Sequence, residues 1–380
     1  MRPPIGPPDR TIMPKISVIT VPSDRLSALV ARLLVAAGIT KAAAHTVADA
    51  LVDADLSGIA SHGVMLVDMY VERIRRGSVS AEETGVVVSD RDATVVIDAR
   101  HALGHLTGDQ SIKIALERAR CFGAGVVAVR HGFHFGTARR FALQAADNGC
   151  VGIVMCNTRP LMPAPGGAER VVGNNPIAIA FPSSGPIPIV LDMATSEAAM
   201  GKIRMSEKAG QKIPATWAVR SDGSPTDNPA EAIAGMLLPA AGAKGFGLAF
   251  MIDLLSGLLA GGAIGGAVQP PYGDANVPYD CSHLFIAIDL GHFGDPATIR
   301  STAAAAADRI RTGRRAPGVS GLFAPGEPEW RKRESAGGQV NLTPAVADML
   351  LRLAKELHVS AAPLAPDQEQ PPKGLGHVEA

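Results

Sequence analysis

The histidines that stand beside glycines and small polar residues are the clearest candidates for chemistry in this chain. Ser61-His62-Gly63 lies between two predicted helices. Because imidazole titrates near neutral pH, His62 could take or deliver the proton of a hydroxyl group while a hydride moves on the neighbouring carbon. A hydrogen-bonded loop histidine with a structural role would show the same local sequence, so this tripeptide alone decides nothing.

A second candidate, His131-Gly-Phe-His134-Phe-Gly136, joins a predicted strand to a predicted helix. The backbone N–H groups of such a loop and the start of the helix suit a pyrophosphate. The two histidines could instead ligate a metal, but no third ligand with supporting spacing lies nearby. We therefore expect a cofactor loop here and no metal site.

Two more segments carry polar groups at loop positions. Pro165-Gly-Gly167 is followed by Gly173-Asn174-Asn175-Pro176, whose amides suit a carboxamide or a ribose, although simple turns use the same residues. Asp192-Met-Ala-Thr195 follows a predicted strand, at the end of an α/β sheet where ligands bind. Asp192 could orient an imidazole or could only cap the next helix.

The elements that would position these residues alternate between helix and strand from residue 104 onward. Residues 23–77 before them predict three amphipathic helices, and residues 85–98 predict a hairpin. The later strands are continuous apolar runs at 125–130, 151–156, 177–181, 187–191 and 284–289. Such strands are typical of a sheet covered on both faces, so the pattern predicts an α/β fold in three layers.

Composition and charge exclude little but give no sign of an extended charged partner. Lys plus Arg and Asp plus Glu each number 36, so we expect neither nucleic acid nor an anionic membrane as a partner. The apolar stretch 246–268 contains Asp253 and several glycines and predicts a buried helix rather than a membrane span. Residues 1–10 lack the apolar region of a signal peptide, so we expect a cytoplasmic protein. Residues 1–20 and 361–380 predict flexible or disordered ends.

A Rossmann dinucleotide site is not indicated. No G-x-G-x-x-G follows a strand, because Gly123-Ala-Gly125 and Gly245-Phe-Gly247 both lack the third glycine.

Taken together, the motifs resemble the second type of malate/lactate dehydrogenase family, which includes ureidoglycolate, sulfolactate and diketogulonate enzymes and piperideine/pyrroline-carboxylate reductases. The resemblance runs from about Ser23 to Val359. It rests on Ser61-His62-Gly63 with Tyr70, His134-Phe-Gly136, Pro165-Gly-Gly167 with Gly173-Asn-Asn-Pro176, Asp192-Met-Ala-Thr195, Ile213-Pro214 with Trp217, Leu238-Pro239 with Gly242-Ala-Lys244-Gly245, Asp253-Leu-Leu-Ser256-Gly257 and Pro325-Gly326-Glu327.

This resemblance implies a non-Rossmann, sulfolactate-dehydrogenase-like α/β fold. A cofactor-binding lobe, residues 121–264, would be inserted into a substrate and dimerisation lobe formed by residues 21–120 and 265–360. The chain is expected to form a homodimer with active sites near the subunit interface.

The resemblance also implies the site residues. His62 would be the proton donor and acceptor, with Ser61 and Asp192 as relay partners, and His134 is the alternative acid/base. Tyr70 and Leu66 would lie on the substrate side. The cofactor would contact His134, Phe135, Gly136, Thr137, Ala138, Thr158, Gly173, Asn174, Asn175, Lys244, Gly326 and Glu327.

Leu66 is the main departure from the family, which usually has at this position an Arg that binds the substrate carboxylate through two parallel hydrogen bonds. Arg139, Arg140 or Lys202 could replace it, or the substrate could differ. We expect the transfer of a hydride between a nicotinamide cofactor and C2 of a small 2-oxo or 2-hydroxy acid. The cofactor would be NAD or NADP, with NAD preferred. A cyclic-imine reductase and a cofactor-binding protein without turnover are the alternatives.

Overall fold

The computed structural model describes residues 18–364. Its strands are β1 (Ile19–Pro22), β2 (Val86–Arg91), β3 (Thr94–Asp98), β4 (Ala124–Gly132), β5 (Cys150–Cys156), β6 (Ile177–Phe181), β7 (Ile189–Met193), β8 (Ala218–Val219), β9 (Met236–Leu237), β10 (Cys281–Asp289) and β11 (Gln339–Leu342). Its α-helices are α1 (Ser23–Ala37), α2 (Lys41–Leu56), α3 (Val67–Arg76), α4 (Gly104–Phe122), α5 (Ala138–Asp147), α6 (Met200–Lys208), α7 (Pro229–Ala234), α8 (Ala243–Asp253), α9 (Pro296–Arg311), α10 (Glu327–Ala336) and α11 (Pro344–Glu356).

A seven-stranded sheet with the order β2-β3-β4-β10-β5-β6-β7 forms the centre of the fold. Only β3 and β4 run parallel among its neighbouring strands. Strand β10 lies in the middle, and its Phe285 is paired with Val127 on one side and Val154 on the other. The apolar runs therefore belong to strands that are mostly antiparallel.

Helices cover both faces of this sheet, as the apolar strands predict. Because side chains alternate along a strand, Phe285 and its neighbours on β4 and β5 point to one face, where they pack with α4 and α5. Leu284 lies on the opposite face, where Ile252 of α8 and Ala260 pack against it. The predicted three-layer α/β arrangement is confirmed.

A second, helical core is built from both chain ends. Helices α1, α2, α3 and α11 contribute its buried residues, including Leu29, Leu51 and Leu350. The ends are joined directly, since β1 pairs antiparallel with β11 and sets Val21 opposite Val340. This agrees with the lobe of two chain ends that the resemblance implies.

The sheet does not follow the expected lobe boundaries at residues 120 and 265. Strands β2 and β3 come from before the first boundary, and the central strand β10 comes from after the second. The physical reason is that β10 lies between β4 and β5 and pairs with the backbone of both. The sheet is therefore continuous only when this strand from the last third of the chain is in place.

The ends that the sequence predicts to be flexible lie only partly within the described residues. Residues 19 and 20, expected to be flexible, begin β1, and Ala362–Leu364 form a short 3₁₀ turn. The expected disorder of residues 1–17 and 365–380 concerns positions outside the described residues.

Several short elements, including β8, β9 and α7, were not predicted, because they are too short to show a period. The apolar stretch 246–268 forms most of α8 and a π-helical turn at Leu254–Leu258, followed by loop. Within residues 18–364 no helix combines the length and the apolar character that crossing a membrane requires.

Arg73 of α3 ties the helical core to the loop that precedes β10. Its side chain is 1% exposed, and its guanidinium donates to the backbone oxygens of Pro270, Pro271, Asp274 and Val277. Because one buried guanidinium binds four carbonyls between residues 270 and 277, this side chain fixes the path of the loop.

Replacing Arg73 by Leu should therefore destabilise the protein by about 3 kcal/mol, since four hydrogen bonds from one charged, buried side chain are lost at once. Urea unfolding of the wild type and the variant measures this. Arg76→Leu, an exposed position on the same helix, is the matched control and should change stability little. Equal effects of the two substitutions would contradict the assigned role.

Candidate active site

One cavity of about 610 Å³ collects most of the residues that the sequence singles out. It opens between the helical core and the end of the sheet. Its walls are the turn with Ser61 and His62, residues 136–139, Thr158 with Asn174, residues 190–194 and residues 323–326. Local motifs that lie up to 260 residues apart in sequence thus meet at one site.

His62 sits on a short 3₁₀ turn, Ala60–His62, between α2 and α3. Its Nδ1 atom is 2.9 Å from the Ser61 hydroxyl, and its ring stacks on that of His134 with centroids 5.4 Å apart. The ring faces the cavity but is otherwise enclosed, and this burial lowers the pKa of His62 to about 4. His62 is therefore a neutral imidazole at pH 7, able to accept a proton.

His134 lies behind His62 and is held by Tyr70. The Tyr70 hydroxyl is 2.6 Å from Nδ1 of His134, and the backbone N–H of Gly136 points at the same atom from 3.3 Å. Since an amide can only donate, Nδ1 is the acceptor and the proton of neutral His134 lies on Nε2. Burial, with the nearby His62, His105 and His283, keeps the pKa of His134 well below its ordinary value.

Tyr70 is therefore a support for His134 rather than part of the cavity wall. Its side chain is fully buried in the helical core. A contact of Tyr70 with the substrate stays a prediction, and the structure places its hydroxyl on His134.

Asp55 of α2 supports the turn that carries His62, and no motif in the sequence predicted this role. Its carboxylate accepts a hydrogen bond of 2.8 Å from the backbone N–H of Val64. It also touches Gly63 so closely that a Cβ there would lie 2.2 Å from Oδ1. Glycine at position 63 is required by this contact, which places the backbone that carries His62. Burial raises the pKa of Asp55 to about 7, although the Val64 hydrogen bond opposes this.

Asp192 lines the cavity but does not bind His62. Among residues 18–364, the hydrogen bond of the His62 ring is with Ser61, and none joins it to Asp192. Burial raises the pKa of Asp192 to about 6, while the charge and backbone amide of Arg139 oppose the rise. The structure brings Ser61 and His62 together, whereas Asp192, near the end of β7, faces Arg139 at the start of α5. The relay through Asp192 stays a prediction.

In the predicted cofactor loop, some residues line the cavity and others are buried in the core. Gly136, Thr137 and Ala138 line the cavity at the start of α5, where Thr137 makes no side-chain cap. Phe135 instead stacks on His283 with ring centroids 4.5 Å apart and is buried under the sheet. Backbone N–H groups at the start of α5 fit an anionic group of a ligand.

A hydrogen-bonded loop pair forms the next wall. Asn175 is fully buried and saturated, because its oxygen accepts from the Thr158 backbone and its nitrogen donates to Ala249. Gly173 packs so tightly that a Cβ would lie 2.2 Å from the Thr158 hydroxyl. Of this set, Thr158 and Asn174 face the cavity, while Gly173 and Asn175 hold them in place.

Gly326 and Glu327 have different roles from each other. Gly326 lines the cavity with φ of +84° and packs on Val190. Glu327 is fully buried, and its carboxylate accepts hydrogen bonds from Arg311 and Arg331 at 2.7 Å. Glu327 thus forms buried ion pairs that anchor the loop, and its contact with a cofactor stays a prediction.

Two further predicted residues do not reach the cavity. Leu66 is 3% exposed and packs in the helical core, so it offers no surface to a substrate. Lys244 is exposed at the start of α8 and is absent from the cavity walls. In the described part of the chain, no group of three or more His, Cys, Asp or Glu side chains could hold a metal ion.

Comparison with known proteins gives a consistent family. A sequence model described as malate/L-lactate dehydrogenase matches residues 21–350. The chain is 36% identical to a malate dehydrogenase of Pyrococcus abyssi over 81% of this chain and 86% of the relative. It is 34% identical to a ureidoglycolate dehydrogenase (NAD(+)) of Escherichia coli K12, covering 82% and 89%. It is 35% identical to a (2R)-3-sulfolactate dehydrogenase (NADP(+)) of Chromohalobacter salexigens, covering 69% and 78%.

Solved structures agree. The sulfolactate dehydrogenase of Methanocaldococcus jannaschii superposes with a TM-score of 0.85 at 32% identity, covering 90% of this chain and 98% of that one. A delta1-piperideine-2-carboxylate reductase of Pseudomonas syringae gives 0.78 at 26% identity, covering 88% and 99%. The implied non-Rossmann fold is confirmed.

The buried Asp55 predicts a pH-dependent stability. Between its ordinary pKa of 3.8 and about 7, the folded chain binds more protons than the unfolded one, so this carboxylate lowers stability as pH rises. Asp55→Asn removes that titration but keeps an oxygen for Val64. The variant should gain stability relative to wild type between pH 5 and pH 8, measured by urea unfolding at both. Asp348→Asn, at an exposed position, should show no such gain. An Asp55→Asn difference that is equal at both pH values would refute the coupling.

Proposed function

The chain belongs to the malate/L-lactate dehydrogenase family, and we propose that it transfers a hydride between a nicotinamide dinucleotide and C2 of a small 2-oxo or 2-hydroxy acid. The observation that carries this proposal is the neutral His62 on the wall of a cavity that also contains the start of α5. One end of that cavity can move a proton, and the other can hold an anionic group of a ligand.

His62 would act as the acid/base. When a hydroxy acid is oxidised, the neutral ring accepts the hydroxyl proton, and when a 2-oxo acid is reduced it returns the proton to the forming alkoxide. Because Nδ1 is bonded to Ser61, the exchanged proton would be carried by Nε2, and Nδ1 would stay protonated and donate to the Ser61 hydroxyl in both directions. A bound nicotinamide would supply or accept the hydride.

NAD is the proposed preference. The relatives include both an NAD(+) and an NADP(+) enzyme. Two carboxylic side chains, Asp192 and Glu329, line the cavity of this chain. Carboxylates suit the ribose hydroxyls of NAD and would repel the additional phosphate of NADP.

A cyclic-imine reductase is the second candidate, favoured by the structural match to the piperideine-2-carboxylate reductase. Its hydride and proton steps need the same residues. A screen at 340 nm with NADH and NADPH against 2-oxo acids and cyclic imino acids separates the two. Cofactor binding without turnover on the whole panel would instead support a family member that has lost activity.

His62→Ala should lower kcat by about 10²- to 10⁴-fold, the usual effect of removing a general acid, and should leave the Kd for NADH unchanged. Both are measured with the best substrate of the screen. His45→Ala, an exposed histidine of α2, is the matched control and should keep full activity. If His62→Ala keeps its kcat while His134→Ala loses it, the acid/base is His134 and the assignment is wrong.

A homodimer is also proposed, through an apolar surface on α8 and the turn that follows it. Leu248, Met251, Leu258 and Leu259 of this segment are 39–56% exposed. Several exposed apolar side chains on one segment are typical of an interface, and a second copy of the chain is the proposed occupant because the resemblance implies a homodimer.

Met251→Glu together with Leu258→Glu should convert a dimer into a monomer, because buried unpaired carboxylates oppose association. Size-exclusion chromatography with light scattering measures the mass. Phe122→Glu, at a position of α4 that is 51% exposed, is the control and should stay dimeric. A monomeric wild type, or a variant that remains a dimer, would exclude this surface.

A further inference from the structure

The proposed substrate carries a carboxylate, and a carboxylate in an enclosed site needs a cation. Leu66 cannot provide one. Arg140 is already engaged, since its guanidinium pairs with Asp109 at 2.7 Å. Lys202 is exposed on α6 and does not line the cavity. Of the described residues on the cavity wall, Arg139 alone carries a permanent positive charge.

Arg139 is placed as a ligand-binding group rather than as a surface charge. It is the second residue of α5, is 6% exposed and lines the cavity. Its Nη1 atom is buried and has no hydrogen-bond partner among residues 18–364. A buried guanidinium with an unused donor is costly unless a ligand completes it.

The surrounding charges favour a single carboxylate. Asp192 and Glu329, the acidic groups nearest to Arg139, also line the cavity. A pyrophosphate with two negative charges placed at Arg139 would face both of them. One carboxylate brings less repulsion and matches the fork of the guanidinium.

We propose that Arg139 binds the carboxylate of the substrate and thereby replaces the cation missing at position 66. This inference rests on the proposed function. With one cation available, the cavity selects a 2-oxo monocarboxylate over a dicarboxylate such as oxaloacetate.

The test uses oxamate, an unreactive analogue of a 2-oxo acid, as the probe. Its Kd is measured by fluorescence titration of the NADH-saturated full-length protein, and the Kd of NADH is measured separately. The variants are Arg139→Gln, Arg139→Lys and the matched control Arg140→Gln. We expect the oxamate Kd to rise about 10- to 100-fold in Arg139→Gln, the usual loss of a charge-assisted hydrogen bond, and less in Arg139→Lys. The Kd of NADH should not change, and Arg140→Gln should bind oxamate as the wild type does.

A weaker NADH affinity with unchanged oxamate binding in Arg139→Gln would overturn the inference, because the anion would then be a cofactor phosphate. If Arg139→Gln does not fold, a folded Arg139→Lys with wild-type oxamate affinity overturns it equally. A wild type with at least tenfold higher kcat/KM for oxaloacetate than for pyruvate also contradicts it. A wild type that binds neither NADH nor NADPH removes the proposed function and this inference together.

Discussion

The position of β10 in the middle of the sheet is the constraint on which the rest of the structure depends. This strand completes the hydrogen bonds of both β4 and β5, so the chain must return to the middle of the sheet long after β7 has formed its edge. Its return brings the last third of the chain back beside the first half. The loop of Pro325 and Gly326 can therefore form a wall of the same cavity as the His62 turn.

Desolvation then gives this cavity its chemical character. His62 and His134 stack on each other away from bulk water, and their enclosure favours the neutral rings. The same enclosure favours the protonated form of Asp55 beneath the turn. Desolvation thus keeps His62 neutral and also favours the protonated form of Asp55, which supports the turn that carries His62.

Short motifs predicted several of the segments that line the cavity, because glycine and histidine at the ends of helices and strands indicate ligand-binding loops without knowledge of distant contacts. The His62 turn and the start of α5 are found where they were predicted. Contacts between segments could not be predicted in this way. Glu327 belongs to a family motif but binds Arg311, a partner that no spacing rule indicates. Likewise, apolar runs predicted the strands of the sheet, while their order depends on pairing between residues more than 100 positions apart.

Helix α10 fixes the cavity from two sides with charges in different surroundings. At its start, the fully buried carboxylate of Glu327 forms ion pairs with Arg311 and Arg331. Dissolved ions screen ion pairs with a buried carboxylate little. Near its end, Arg333 pairs with Asp53 of α2 where both side chains are more than 40% exposed, just before the His62 turn. Exposed pairs weaken as ionic strength rises. Concentrated salt would accordingly loosen the histidine side of the cavity while the side formed by Gly326 stays in place.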